Sequence, residues 1–272
     1  MDYELHGKRV LITGAGRGIG RELVKGFLEQ GALVIATDRD QDSLHETVKL
    51  NQDKAMPYVS DISDEKSVIG LMGFAGKKLN GLDICVNNAA VAPHTALLEE
   101  RVDVWDTVYG VNCRGTFLIT REAAKLMIAS GCKDGRIINF SSAASKRGSA
   151  GGAAYASSRA AVEGFSRCAA IELAPYGILV NTISPGLIDT QVKPLPPGMA
   201  QALGARIPNL PLARPGEAEE VVQLALFLAS KASSYITGSV YNVDGGSSVG
   251  ARSSGVVIDD DVRYDWVTGV KR

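Results

Sequence analysis

Residues 9–20 read RVLITGAGRGIG, and the way this stretch is parsed decides the rest of the chain. RVLIT is apolar on both faces, which a strand tolerates only where both faces are covered. Gly14, Gly16, Gly18 and Gly20 then alternate with other residues before a helical period begins at 21–30 (RELVKGFLEQ). Such glycines let the backbone turn tightly and approach a ligand closely, and the free N–H groups at the helix start favour an anion such as a pyrophosphate. The spacing alone is a weak signal; the order strand, glycine turn, helix strengthens it. A second apolar strand, ALVIAT (32–37), runs into Asp38, 20 residues after Gly18. A carboxylate there accepts both hydroxyls of an adenosine ribose and repels a 2′-phosphate, so the reading is a dinucleotide site that prefers NAD(H) to NADP(H). Arg17 in the turn and Arg39 beside Asp38 are basic and leave some NADP(H) tolerance open.

The same rhythm continues outward. Further strands are expected at 56–60, 82–87, 136–141, 178–184 and 239–243, with helices at about 64–78, 102–130, 153–174 and 217–229. Seven strands separated by helices predict an α/β fold, a doubly wound parallel sheet with helices on both faces, in a single domain. That domain is expected to span 1–246. Within it the Pro/Gly-rich insertion 191–214 reads as a substrate loop or lid, and 247–272, with Asp259 to Asp261, reads as a C-terminal extension, either frayed or a subunit-contact arm.

Composition narrows the partners. The chain has 272 residues, 45% of them hydrophobic, and a formal net charge of −1, so nothing points to nucleic acid or an anionic membrane, and a small-molecule substrate is favoured. The four cysteines (Cys85, Cys113, Cys132, Cys168) have no CxxC spacing and read as reduced thiols with no metal site; Cys85 and Cys168 lie in apolar runs and are expected to be buried. No signal peptide or membrane span is read from the sequence, which predicts a soluble, cytoplasmic protein.

The motifs together resemble the short-chain dehydrogenase/reductase family over roughly residues 7–246. TGAGRGIG resembles that family's TGxxxGxG, in which Gly14, Arg17, Gly18, Ile19 and Gly20 would hold the cofactor. Asp61 resembles the acid that holds the adenine amino group, with Ile62 beside the ring. NNAA (87–90) resembles NNAG, placing Asn88 and Ala89 at the ribose, with Ala90 replacing the last glycine. SPGLIDT resembles PGxxxT: Pro185 and Gly186 would pass the nicotinamide, and the Ile188 backbone and Thr190 hydroxyl would hold its carboxamide. The fold this implies is Rossmann-like.

At the chemical end, Ser142 precedes Tyr155 by 13 residues, the family spacing, and Asn112 matches the helix asparagine whose carbonyl holds a relay water. Independently of the resemblance, hydride transfer to a carbonyl needs a proton donor, and an ordinary tyrosine, with a pKa near 10, needs help to work in reverse as a base. A cation one helical turn away supplies that help. Here the cation is Arg159 within YASSR, whereas the family pattern is YxxxK. Arginine keeps the charge and can bind the ribose, but does not give up a proton, which puts the relay in doubt. A Ser-Tyr-Arg triad also resembles the halohydrin dehalogenases, which form epoxides without a nucleotide and carry an aromatic where this chain has Gly18. A third reading is an NAD-binding protein with faded catalysis.

The expected activity is therefore that of an NAD-dependent alcohol dehydrogenase or ketone reductase: Tyr155 as acid/base, Ser142 polarising the substrate oxygen, Arg159 on the ribose, and Asn112 supporting a water. Lys146, Arg147, Lys193, Arg206 and Arg214 either meet an anionic substrate or form a solvated rim, and His94 reads as a bystander at the mouth. Small residues on the 153–174 helix (Ala156, Ala160, Ala161, Gly164), together with the resemblance, imply a homotetramer.

Overall fold

The computed structural model describes residues 2–190 and 204–251, and two short strands at 264–265 and 270–271. Seven strands form one parallel sheet: β1 (Arg9–Thr13), β2 (Leu33–Asp38), β3 (Ala55–Val59), β4 (Ile84–Asn87), β5 (Gly135–Phe140), β6 (Ile178–Pro185) and β9 (Val240–Val243), the last numbered after the two-residue β7 (Ile188–Asp189) and β8 (Gly216–Glu217). Their order is β3-β2-β1-β4-β5-β6-β9, as expected of a doubly wound sheet.

Strand periodicity explains the layers. Successive side chains point to opposite faces, so Val10 and Ile12 enter one core and Leu11 the other; Val34 and Ala36 oppose Ile35 in the same way, and Ile84 and Val86 oppose Cys85. The first core is closed by α1 (Gly18–Glu29) and α7 (Ala218–Ala229), the second by α3 (Glu65–Leu79) and α5 (Thr116–Ala129). Each fully buried aliphatic side chain contributes about 1.5–3 kcal/mol, so the central strands fix the fold.

Two elements depart from expectation. An eight-residue helix, α2 (Gln41–Val48), lies between β2 and β3 where none was read; Asp40 caps it by accepting the Ser43 N–H at 3.3 Å. The continuous helix expected over 102–130 is instead α4 (Val102–Tyr109), a π-helical turn (Gly110–Gly115) and α5. Such a turn breaks the i→i−4 ladder and commonly marks a functional position; here it holds Asn112. Of the expected lid, 191–203 lies outside the described residues, as does most of the 247–272 extension.

Chain order runs from β1 outward to β3, then returns to β4 on the other side of β1. The crevice at this reversal, beyond the carboxyl ends of the strands, is where such sheets bind ligands. The glycine turn after β1 and the NNAA turn after β4 meet there.

Candidate active site

The two turns are joined through Thr13, whose Oγ1 accepts the N–H groups of Asn88 and Ala89, both at 3.1 Å. In return the Asn88 side-chain amide donates to the carbonyls of Thr13 and Gly14, both at 3.1 Å. Gly14 (φ +65°) has no room for a side chain: a Cβ would stand 2.7 Å from the Ala89 Cα. Gly18 (φ +55°) opens α1 and faces Thr190, whose Cβ would be 3.3 Å from a Cβ placed on the glycine.

Asp38 bends back over the glycine turn. Its Oδ2 accepts the Gly16 N–H at 3.0 Å and its Oδ1 the Asp40 N–H at 3.1 Å. The carboxylate is thus fixed at the rim of the cleft, with lone pairs left to accept from a ligand. Asp61 is held by its own turn, where Ser63 donates through N–H (2.9 Å) and hydroxyl (2.7 Å), and Ile62 is buried beside it.

At the far end, β5 delivers Ser142 and α6 (Ala153–Leu173) delivers Tyr155 and Arg159, one helical turn apart on a single face. The Arg159 guanidinium is buried, donates through Nη1 to the Phe140 carbonyl at 2.8 Å, and stands 5.2 Å from the centre of the Tyr155 ring. Burial pushes the Tyr155 phenol up. The Arg159 charge, the hydrogen bond with Ser142 and that with Arg159 outweigh it and bring the pKa below the ordinary tyrosine value. Opposite, Gly186 packs so closely on Asp244 that a Cβ would lie 2.6 Å from its Cα. Asp244 in turn accepts the N–H groups of Gly246 (3.0 Å) and Ser248 (2.7 Å), so the last strand's turn buttresses the Pro185–Gly186 wall.

These parts line one cleft of about 670 Å³. Ser142, Tyr155, Arg159 and all the expected cofactor residues, from Gly14 to Thr190, lie along it; Asn112 does not. The Asn112 amide is buried, accepting the Val91 N–H (2.9 Å) and donating to the Val91 carbonyl (3.0 Å) and to the Ser158 hydroxyl (3.0 Å). Its backbone carbonyl accepts the Thr116 hydroxyl at 2.7 Å. Asn112 therefore ties the loop after β4 to α6 from behind the cleft.

Over this geometry, a family model described as enoyl-(acyl carrier protein) reductase matches residues 14–248. The chain belongs to the short-chain dehydrogenase/reductase family. It is 37% identical to the 3-oxoacyl-[acyl-carrier-protein] reductase FabG of Thermotoga maritima over 245 residues, covering 89% of this chain and 98% of that one. It is also 37% identical to the L-xylulose reductase of Bos taurus over 246 residues, 90% and 98% of the two chains. Among solved structures, a short-chain type dehydrogenase/reductase from Mycobacterium marinum superposes with a TM-score of 0.85 at 35% identity, covering 90% of this chain and 96% of that one. The protein is thus an oxidoreductase of a family that uses a nicotinamide cofactor.

Within this short-chain dehydrogenase/reductase, one expectation about a single residue changes. Cys168 is exposed, not buried: the helical period places it away from Val162, Ser166, Ala169 and Ala170, which face inward. Arg214 is engaged by Glu220 through two hydrogen bonds of 2.8 Å, Lys146 reaches Asn242, and Arg147 donates to the Ser247 carbonyl at 2.9 Å. Lys193 lies outside the described residues. His94 is exposed. Two residues with structural roles at the site went unread: Asp244, and Glu163, which follows Tyr155 and Arg159 on the same helix face at a further i+4 step.

Proposed function

We propose that this short-chain dehydrogenase/reductase moves a hydride between NAD(H) and a secondary alcohol or ketone. The observation that carries the proposal is a single cleft with Asp38 fixed over the glycine turn at one end and Ser142, Tyr155 and Arg159 gathered at the other.

The residues fit the cofactor. The glycine positions leave a cradle that side chains would fill, and Arg159 Nε is buried with no hydrogen-bond partner, a donor free for a ribose hydroxyl. The Asp38 carboxylate favours a free 2′-hydroxyl over a 2′-phosphate, hence NAD over NADP. Asp61 and Ile62 would take the adenine, Asn88 and Ala89 the ribose, and Pro185, Gly186, Ile188 and Thr190 the nicotinamide side. When bound, the nicotinamide gives or takes the hydride. The chain handles the proton: in reduction the Tyr155 hydroxyl donates to the developing alkoxide, and in oxidation the phenolate accepts from the alcohol. Ser142 donates a hydrogen bond to the same oxygen, favouring the charge that develops there. Arg159 stands where the resemblance expects lysine; it holds a permanent charge beside the phenol and leaves proton exchange to the open cleft.

The domain reading is retained, with 1–246 as the catalytic unit. The exposed face of α6, where Ala160, Ala161, Cys168 and Ile171 meet solvent, supports a homo-oligomer, which we take to be a tetramer in the cytoplasm. No helix among the described residues is long and apolar enough to cross a membrane.

Titrating the protein with NADH and, separately, NADPH by fluorescence tests the reading. Saturable binding, tighter for NADH, followed by ketone-dependent NADH oxidation, is the expected result. No binding of either would discard it in favour of nucleotide-free chemistry at Ser142, Tyr155 and Arg159.

A further inference from the structure

The segment that carries Ser142 is held by one carboxylate oxygen. Glu163 Oε1 accepts the Ser141 hydroxyl at 2.7 Å and the Ser145 hydroxyl at 2.6 Å, so a single atom grips the chain on both sides of Ser142. Both are short O–H···O bonds. Each hydroxyl has a second acceptor: the Arg159 carbonyl lies 3.2 Å from Ser141 Oγ, and the Ser142 carbonyl 2.7 Å from Ser145 Oγ. The Ser145 backbone N–H also donates to the Ser142 carbonyl, at 2.9 Å, so that carbonyl keeps a partner when the hydroxyl proton turns to the carboxylate. Inside the loop so formed, Ser142 Oγ accepts the Ala144 N–H at 3.2 Å, which fixes the side chain that shares the cleft with Tyr155.

Residues 155, 159 and 163 stand at i, i+4 and i+8 on α6, so one helix face carries the phenol, its cation and the grip on its serine. We infer that Glu163 is a positioning residue: it sets the place of Ser142 relative to Tyr155, and through Ser142 it sets the ease with which the phenol ionises. The inference rests on the proposed roles of Ser142 and Tyr155. Glu163 lines no part of the cleft and touches no reacting atom.

The test compares Glu163→Leu with Glu163→Gln. Glutamine keeps an oxygen that can accept both hydroxyls, whereas leucine keeps the bulk and removes the acceptor. Tyr155 ionisation is read without turnover, as the tyrosinate absorbance lost on Tyr155→Phe in each background. In Glu163→Leu the Tyr155 titration is expected to move to higher pH, towards that of Ser142→Ala. Turnover should fall about tenfold to a hundredfold, the scale of a small misplacement of a reacting group, with NADH affinity unchanged. Glu163→Gln should restore most of both. Ser145→Ala, which removes one of the two bonds, should fall between and serves if the leucine variant does not fold. A leucine or Ser145→Ala variant whose Tyr155 titration matches wild type, or a glutamine variant as damaged as leucine, overturns the inference. Because the titration needs neither cofactor nor substrate, loss of the hydride-transfer reading would leave this outcome legible on its own.

Discussion

Gly20→Ala is the sharpest test of how the glycine turn works. In an isolated helix the change would be favourable by up to about 1 kcal/mol, because alanine is the better helix former. Here a Cβ at position 20 would fall far inside the van der Waals contact distance of the Gly14 carbonyl oxygen and 2.7 Å from the Asn88 amide nitrogen. The oxygen belongs to the backbone, so α1 or the turn itself must move. Overpacking of this kind costs about 1–3 kcal/mol. Displacing the Asn88 amide from its two 3.1 Å bonds adds about 1 kcal/mol for each. After the helix gain is subtracted, a net loss of about 2–4 kcal/mol remains, which lowers the melting temperature of a domain this size by roughly 10 °C. NADH affinity should fall with it if the turn is, as proposed, the cofactor's cradle. Calorimetry and a fluorescence titration read the two effects. Gly73→Ala, in the middle of α3 with nothing within 4 Å of its added carbon, is the control and should raise the melting temperature by a few degrees. A Gly20→Ala protein that melts within about 1 °C of wild type and binds NADH normally would refute the reasoning.

Other outcomes follow from the same geometry. Asp38→Ala removes the acceptor of the Gly16 N–H and the proposed acceptor of the ribose hydroxyls; NADH binding should weaken about tenfold to a hundredfold, the value of a charged hydrogen bond, with NADPH binding less affected, and an unaltered preference in paired titrations would remove Asp38 from the ribose site. Tyr155→Phe should lower turnover about a hundredfold to ten-thousandfold with NADH binding intact, as stopped-flow and equilibrium measurements would show. Alcohol oxidation should rise with pH through the lowered Tyr155 pKa, and Arg159→Met should push that rise to higher pH, because burial is then opposed by Ser142 alone. Arg159→Lys should raise turnover or move its pH optimum if proton exchange is limiting; an unchanged profile would show that arginine suffices. Glu220 is held at a pKa of about 2 by the Arg214 side chain and the Glu217 N–H. Because its folded pKa lies below its unfolded value, the stability it adds is complete above the ordinary carboxylate range and is lost as pH falls towards about 2. Glu220→Gln should therefore cost about 1 kcal/mol or less at neutral pH, and urea titrations should show the gap closing in acid.

The fold was legible because its signal is local. RVLIT, the glycines and Asp38 each have one physical use, and their order leaves few topologies. What escaped depended on the third dimension. α2 presents only Leu44, Thr47 and Val48 to the interior, too short a stripe to stand out among polar residues. The π turn at 110–115 has no composition of its own. Cys168 looked buried because its neighbours in sequence are apolar, whereas a helix sorts residues by angle and turns this one outward. At the site, Tyr155 and Arg159 could be paired by spacing, and Glu163 was one more step along the same face. Its serine partners, however, come from another segment, and Asp244 supports Gly186 across more than fifty residues of chain.

That support sets an order of assembly during synthesis. The residues proposed to take the adenosine, on β1 to β4 and their turns, all lie within the first ninety or so residues to leave the ribosome, although the core beneath them closes only with α7. The wall at Pro185 and Gly186 has nothing to lean on until Asp244 and the turn beyond it emerge. A nascent chain thus holds every residue of the glycine-turn cradle early, yet both that half and the opposite wall are finished only when nearly all of residues 1–246 have been made.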